Sequence, residues 1–456
     1  MCRWVVVLLS VSLLVGCGDT ADPDFAAVSC ADFAHANCIS IPGGDSAALL
    51  DAVNSLDDDT VLVLGLGTFE LDNQVTIRAD RICVAGQGMN ATTLSFGTAT
   101  TQINGVDAIS DGFLIQDLTV LDAPKDGIRV EVSNGVTFRR IRATWSNPGL
   151  ETNGAYGIYP VRSQNVLVED SVADRSSDAG LYVGQCMNVI VRNNMVRDNV
   201  AGLEIENTQY ADVYGNTAEN NTAGIVVFDL PGNPIVGRDV RLRDNVITNN
   251  NHPNFAPAGT TVSIIPSGTG TFAMASRRVE ITNNTYEGND TGDIAVLSGL
   301  VAEPVATLWD LNTADLTGDW MDLGLAEGTT AGTITNARTE NIVISGNTHS
   351  GSGTNPDRSA DFGTLLAAVY GTRSTSSILY DGIGEPLFSA TDASMTSNEN
   401  RICAGGNPMA AGFAVLDVAT QLLSIGSPIL VIADSPFAPF DCTTMDGGAV
   451  AEVLLP

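Results

Sequence analysis

Aromatic, acidic and basic residues recur at a regular spacing between residues 156 and 230. These residue types are common in sites that bind or cleave sugars. Tyr159 and Tyr182 are 23 residues apart, and Glu204 follows after another 22. Flat aromatic rings pack on sugar faces, and carboxylates bind hydroxyl groups, hold Ca²⁺ or transfer protons. The residues that we expect to bind a polysaccharide chain along one outer face are Tyr159, Arg162, Asp178, Tyr182 and Asp229.

The candidates for catalysis are two glutamates and one histidine. Glu204 and Glu206 are two residues apart, so on a β-strand their side chains point to the same side. There they would raise each other's pKa or share a Ca²⁺ ion. His252, in the polar stretch 249–254, is the candidate for proton transfer. The alternatives are a solvated acidic face for the carboxylates and a turn histidine, bonded to the local backbone, for His252.

An internal repeat sets the positions of these residues. Gly157, Gly180, Gly202 and Gly224 are spaced 23, 22 and 22 residues apart, each within a short apolar run. A strand this short has no core of its own, but stacked copies can pair into parallel sheets. The pattern therefore predicts an all-β solenoid with coils of about 22 residues. Asparagines that we expect to bond from coil to coil recur at positions 194, 216, 245, 284 and 347.

The beginning of the repeat region resembles a known superfamily. Asp45 and Ser46 can cap a helix over residues 47–56, and the strand-like runs 60–69 and 82–88 follow. This order resembles the start of the pectate-lyase-like right-handed parallel β-helices, in which the helix closes the open end of the cylinder. The chain also resembles bacterial lipoproteins with a parallel β-helix domain, through residues 154–160, 228–231 and 251–257.

The resemblance divides the chain into four parts. We expect a signal peptide over 1–16, a lipid-anchored tether with an N-terminal loop over 17–44, and the right-handed parallel β-helix over 45–350. An insertion should interrupt the β-helix at about 300–335. Residues 351–456 should form an irregular C-terminal cap that hides the unpaired strand edge.

The N-terminus predicts export and lipidation. An apolar run too short to span a bilayer ends in Leu14-Val15-Gly16-Cys17, which resembles the lipobox of bacterial lipoproteins. This implies cleavage before Cys17 and diacylglycerol on its sulfur, and Gly18 favours the outer membrane, on its periplasmic side or at the cell surface. The alternative is an ordinary secretory signal.

The remaining cysteines fit an exported protein. Export permits disulfides, and we expect the pairs Cys30–Cys38 and Cys403–Cys442. Cys83 and Cys186 lie in strand-like runs and should be small buried residues.

Composition limits the partners and leaves two functions open. A formal net charge of −32 repels nucleic acid and anionic membranes, so membrane contact should occur only through the lipid. No metal or cofactor is indicated beyond Ca²⁺, and we expect a monomer. One function is a cell-envelope protein that binds a polysaccharide and, if it is an enzyme, is a lyase, epimerase or glycosidase. The other is a non-catalytic scaffold or adhesin with a protein partner. Two observations favour it: the Asp-Pro-His-Glu motif of mannuronan epimerases is missing, and the chain has a single lysine.

Overall fold

The structure is a computed structural model, and it describes residues 27–318, 332–359, 361–385, 397–408, 412–416, 430–433, 436 and 438–456. The described helices are α1 (Ser46–Val53), α2 (Asp361–Tyr370) and the 3-10 helices Cys30–Asp32, Thr261–Ile264, Gly299–Val301 and Ala306–Trp309. None of the described helices is long and apolar enough to cross a membrane. The strands are β1 (Asn37–Ile41), β2 (Thr60–Leu64), β3 (Gly67–Glu70), β4 (Val75–Ile77), β5 (Cys83–Ala85), β6 (Thr92–Ser95), β7 (Val106–Ala108), β8 (Leu114–Leu121), β9 (Ile128–Glu131), β10 (Asn134–Thr144), β11 (Tyr156–Val161), β12 (Gln164–Glu169), β13 (Val172–Asp174), β14 (Ala179–Gly184), β15 (Met187–Arg192), β16 (Met195–Arg197), β17 (Ala201–Glu206), β18 (Gln209–Tyr214), β19 (Thr217–Glu219), β20 (Ala223–Phe228), β21 (Arg238–Arg243), β22 (Val246–Thr248), β23 (Thr269–Met274), β24 (Arg277–Thr282), β25 (Thr285–Glu287), β26 (Gly292–Leu297), β27 (Asp310–Asn312), β28 (Thr333–Thr335), β29 (Glu340–Ser345), β30 (Thr348–Ser350), β31 (Ile378–Tyr380), β32 (Ile402–Cys403), β33 (Phe413–Leu416) and β34 (Leu430–Ala433).

The strands stack into three parallel sheets that wind around one core. Sheet 1 contains β4, β7, β9, β11, β14, β17, β20, β23, β26, β31 and β33, with β34 added antiparallel at its end. Sheet 2 contains β1, β2, β5, β8, β10, β12, β15, β18, β21, β24, β29 and β32, and sheet 3 contains β3, β6, β13, β16, β19, β22, β25 and β30. The long strands β8 and β10 pair with both sheets 2 and 3.

The register between coils follows the repeat in the sequence. Tyr156 pairs with Ala179, Ala179 with Ala201 and Ala201 with Ala223, which gives steps of 23, 22 and 22 residues. These are the steps between the glycines, so the prediction of a parallel β-solenoid is confirmed.

Two asparagine ladders support the turns of the coils. In the first ladder Asn194 donates to Asn216 and Asn216 donates to Asn245, both at 3.0 Å, and the chain of bonds continues through Asn284 to Asn347. This confirms the predicted stacking. A second ladder, which the sequence did not reveal, consists of Asn199, Asn221, Asn250 and Asn289. Because both ladders are buried, each amide supplies the hydrogen bonds that water would otherwise make.

The N-terminal helix is present where the sequence predicted it, but it is shorter. The Asp45 side chain accepts a hydrogen bond from the backbone N–H of Ala48 and so caps α1. The helix ends at Val53, and its buried side chains are Leu49, Ala52 and Val53. Parallel pairing begins before the helix, at β1, and continues past residue 350 through β31, β32 and β33, so the stacked strands extend beyond the expected bounds 45–350 at both ends.

Three segments leave the coils and cover part of the outer face of sheet 1. They are the described parts of residues 249–268, 298–339 and 351–377. Each contributes to one apolar cluster with the outward side chains of the sheet, namely Val262 and Ile265 from the first, Trp309 and Ala337 from the second, and Leu366 and Tyr370 from the third. The sheet side chains in this cluster include Val226, Phe228, Phe272, Met274, Ala295 and Leu297. Burial of this apolar surface holds the segments on the sheet.

The expected cysteine pairs are both disulfides in the structure, Cys30–Cys38 and Cys403–Cys442. Cys83 and Cys186 are free and buried, as predicted. The second disulfide ties the C-terminal segment to β32, and the backbone N–H of Val450 donates to Glu280 on sheet 2. The end of the chain therefore lies along sheet 2.

Candidate functional site

The predicted columns of side chains are present on the outer face of sheet 1. Tyr182 pairs with Glu204, and Glu204 pairs with Val226 in the next coil. Two residues further along each strand, Gly184 pairs with Glu206. The alternation of a β-strand then places Glu204 and Glu206 on the side opposite Leu203 and Ile205, which lie in the core of the cylinder.

Three tyrosines pack together at the start of this face. The ring of Tyr156 lies 4.6 Å from those of Tyr159 and Tyr182, and the latter two are 4.9 Å apart, measured between ring centroids. The rings are tilted by 39° to 86° relative to one another, so they do not form one flat platform. The Tyr182 ring lies over Gly184, where any side chain would collide with it. The Gly184 position thus lets Tyr182 reach towards Glu206.

The carboxylates are not on the open face that we expected. Glu204 is 1% exposed and Glu206 is 6% exposed, whereas Asp178, Tyr156 and Tyr159 are partly exposed. Nearby side chains account for part of this burial, because Glu206 accepts hydrogen bonds from Asn233, in the loop after β20, and from Tyr182, whose ring lies over Gly184. Tyr156, Tyr159 and Asp178 therefore form the accessible rim, and Tyr182 and the two glutamates lie beneath it.

Burial changes the proton affinity of these carboxyl groups. It raises the pKa of Glu206 to about 7, an effect that hydrogen bonds from Tyr182 and Asn233 reduce. Burial and the nearby Glu206 raise the pKa of Asp178 to about 7. The pKa of Glu204 is raised well above its usual range by burial, with Asp178 and Glu206 adding to the effect. We expected repulsion between Glu204 and Glu206 to raise their pKa values, but burial is the larger cause of the rise.

Two oxygen atoms in this group have no hydrogen-bond partner. They are Glu204 Oε1 and Asp178 Oδ1, both of which are inaccessible to solvent in the described part of the chain. A buried acceptor without a donor is costly, and native proteins rarely keep one without a role. The pair is thus ready to accept a hydrogen bond from a ligand or to hold a proton.

Two further members of the site, Asp126 and Tyr156, were not predicted from the sequence. Asp126 is buried, its pKa is raised to about 6 by burial, and it lies one coil before Tyr156 in the same column. Extending the glycine alignment back to Gly127 would have found Asp126, and Tyr156 directly precedes Gly157, which the alignment already contained. We define the tyrosine–carboxyl cluster as Asp126, Tyr156, Tyr159, Asp178, Tyr182, Glu204 and Glu206.

Two predicted site residues, Arg162 and Asp229, have other surroundings. Arg162 forms an ion pair with Glu131, which Arg129 also contacts. Asp229 accepts hydrogen bonds from the backbone N–H of Gly237 and from the Asn336 amide, both at 2.7 Å. Asp229 thus closes the loop after β20 rather than facing a sugar, and burial raises its pKa to about 6.

His252 lies in the loop that leaves the coil after β22. Its Nδ1 atom is 2.8 Å from the carbonyl oxygen of Pro253, and its ring packs against Phe255 at 5.0 Å. The geometry is that of the alternative, a histidine bonded to the local backbone. Within the described residues, no contact of His252 with the tyrosine–carboxyl cluster is found.

The other predicted sites can be placed only in part. Cys17 lies outside the described residues. Among the residues that the structure describes, no group of three or more His, Cys, Asp or Glu side chains is arranged to hold a metal ion. The structure therefore gives Ca²⁺ no defined position.

Comparison with known proteins identifies the class of fold. A family model described as "Right handed beta helix region" matches residues 88–240 and 127–301. The matched residues, 88–301, make up a little under half of the chain, and the match agrees with the stacked parallel sheets, so the predicted right-handed parallel β-helix fold is confirmed. No curated protein matches the sequence.

Solved structures similar to the chain include enzymes and an adhesin. The A-module of the mannuronan C-5 epimerase AlgE4 of Azotobacter vinelandii is 16% identical, with 78% of this chain and 91% of that chain covered and a TM-score of 0.40. An alginate lyase of a Paenibacillus species is 17% identical (58% and 94% covered, TM-score 0.38). The Streptococcus pneumoniae surface protein and adhesin PfbA is 10% identical (55% and 83% covered, TM-score 0.38). At these values the similarities carry no argument about activity.

Proposed function

We propose that this protein binds a polysaccharide at the tyrosine–carboxyl cluster and acts on it by acid–base chemistry. The observation that carries the proposal is the pair of buried, unpartnered acceptors, Glu204 Oε1 and Asp178 Oδ1, next to a partly exposed tyrosine rim. A sugar chain supplies hydroxyl donors for such acceptors, and the Tyr159 ring lies at the surface to contact it.

The proton affinities suit an acid and a base in one site. Burial raises the pKa values of Asp178 and Glu206 to about 7, so each can take up or release a proton near neutral pH. Burial raises the pKa of Glu204 well above its usual range, which favours its neutral form in the free protein. Cleavage by a glycosidase or a lyase, and epimerisation, all need one group that gives a proton and another that takes one.

A glycan array with the mature protein tests the binding. We expect at least one polysaccharide to bind, and Glu204→Gln and Tyr159→Ala to weaken that binding about ten-fold or more while circular dichroism stays unchanged. Glu287→Gln is the matched control, because Glu287 is exposed on β25 in sheet 3. Unchanged binding in both cluster variants, or no bound glycan, would refute the proposal and favour the scaffold or adhesin reading.

We also propose that the protein is anchored to the outer membrane by lipid on Cys17. The support is the lipobox-like Leu14-Val15-Gly16-Cys17 at the end of the apolar run. Replacing Cys17 with Ser should move the protein from the membrane fraction to the soluble fraction, because that one sulfur would carry the diacylglycerol. A variant that still sediments with membranes would show that the anchor is elsewhere.

A further inference from the structure

The charge balance around the tyrosine–carboxyl cluster limits which sugars it can accept. Asp178, Glu204 and Glu206 influence one another, and no lysine or arginine is among the described groups that shift their pKa values. The undescribed stretches after residue 26 contain neither lysine nor arginine, so they cannot supply a cation either. The cluster has acid groups in excess of bases.

The nearest arginines on the same face are already paired. Arg129 contacts Asp107 and Glu131, and Arg162 contacts Glu131. Arg129 lies 6.0 Å from the centroid of the Tyr159 ring, at the edge of the cluster that is furthest from the glutamates. The one lysine of the chain, Lys125, is exposed beside Asp126, three coils before Glu204. A sugar carboxylate at Asp178, Glu204 and Glu206 would therefore lie among acid groups and away from the cations at the edge of the cluster.

Resting on the proposed function, we propose that the cluster binds a glycan that contains free amino groups, an amino-sugar polymer, with the ammonium group placed at Glu204 and Asp178. The unpartnered oxygens of these two residues are acceptors without donors, and an ammonium group has three N–H donors. Its positive charge also offsets the buried carboxylates.

The tyrosines add to the attraction. A cation within about 6 Å of an aromatic ring is attracted by the negative face of the ring. The rings of Tyr156, Tyr159 and Tyr182 are mutually tilted and so present faces in several directions, as a cation site needs, rather than the single flat surface that suits stacking alone. The acidic carboxyls and the aromatic rim thus favour the same ligand chemistry.

Titration calorimetry with matched oligosaccharides tests this inference. The probes are glucosamine and galactosamine oligomers, their N-acetylated forms, and galacturonate oligomers of the same length. We expect one free-amine oligomer to bind at least ten-fold more tightly than its acetylated form, and galacturonate to bind most weakly. Glu204→Gln should remove most of this preference, Asp178→Asn should reduce it, and Glu287→Gln should leave it unchanged.

The possible outcomes separate the two proposals. Equal binding of the amine and acetylated forms, tighter binding of the uronate, or binding only to other sugars of the array would overturn the amino-sugar inference but keep the glycan site. Absence of binding to every glycan would overturn both. If Glu204→Gln does not fold, Asp178→Asn, at a partly exposed residue, provides the same comparison.

Discussion

Replacing Glu206 with Gln should stabilise the protein at high pH and hardly at all at low pH. Glu206 is buried, and its pKa rises from 4.5 to about 7 on folding. Because the folded pKa is raised, the neutral carboxyl is tolerated below pH 4.5, and stability is lost as the pH rises through 7. Glutamine keeps the shape and can still accept the hydrogen bond from Asn233, but it does not ionise.

The size of the effect follows from the two pKa values. At 1.36 kcal/mol per pH unit, a rise from 4.5 to about 7 makes ionisation of Glu206 cost roughly 3 kcal/mol of folding free energy at pH 8 and about 1 kcal/mol at pH 5. For a chain of 456 residues, at about 2.1 cal/mol/K per residue, 3 kcal/mol moves the melting temperature by about 3 °C.

Differential scanning calorimetry at pH 5 and pH 8 measures this. Glu206→Gln should melt about 3 °C above the unchanged protein at pH 8 and about 1 °C above it at pH 5. The exposed Glu287→Gln should shift the melting temperature little at either pH. Equal shifts of Glu206→Gln at both pH values, or a loss of stability at pH 8, would refute burial as the cause of the raised pKa.

Three further predictions concern the solenoid, and denaturant unfolding measures each. Ile205→Asp puts a charge into the core and should cost about 4 kcal/mol or more, whereas Ile109→Asp, at an exposed position, should cost under about 1 kcal/mol; similar costs would contradict the assigned faces. Asn216→Ala leaves ladder partners unsatisfied and should cost about 3 kcal/mol, and a cost near zero would mean that water replaces the amide. Loss of the Cys403–Cys442 disulfide, with a separation of 39 residues, should cost about 4 kcal/mol by the chain-entropy relation, and unchanged stability on reduction would contradict its role as a tie.

The fold could be predicted because each coil repeats one local pattern. The steps between Gly157, Gly180, Gly202 and Gly224 equal the register of the paired strands. The asparagine ladder was visible for the same reason, since a residue repeated at one turn stacks on its copies. The segments that interrupt the repeat could not be placed, because nothing periodic relates Trp309 or Leu366 to the strands on which they pack.

The sequence predicted which site residues lie side by side on neighbouring coils, but it did not predict how deeply they are buried. The 22-residue repeat predicted that Tyr182 pairs with Glu204, and the alternation of a β-strand predicted that Glu204 and Glu206 point to the same side of the sheet. It could not give their burial, because nothing periodic places Asn233, in the loop after β20, against Glu206, or the Tyr182 ring over Gly184. For that reason Glu206, which we expected on an outer face, is a buried group with a raised pKa.

The position of the cluster along sheet 1 is the strongest reason to locate function there. Towards the N-terminus the outer face consists of ion pairs such as Arg78–Asp107, whose charges are satisfied. Towards the C-terminus it consists of apolar side chains such as Phe228 and Phe272, which line an apolar pocket together with the covering segments. Between these two regions, two buried carboxyl oxygens without a donor, Asp178 Oδ1 and Glu204 Oε1, lie near the partly exposed ring of Tyr156. Desolvation makes an electrostatic contact strong, and the exposed rim makes it reachable, so a ligand bound there gains more than on either neighbouring stretch of the sheet.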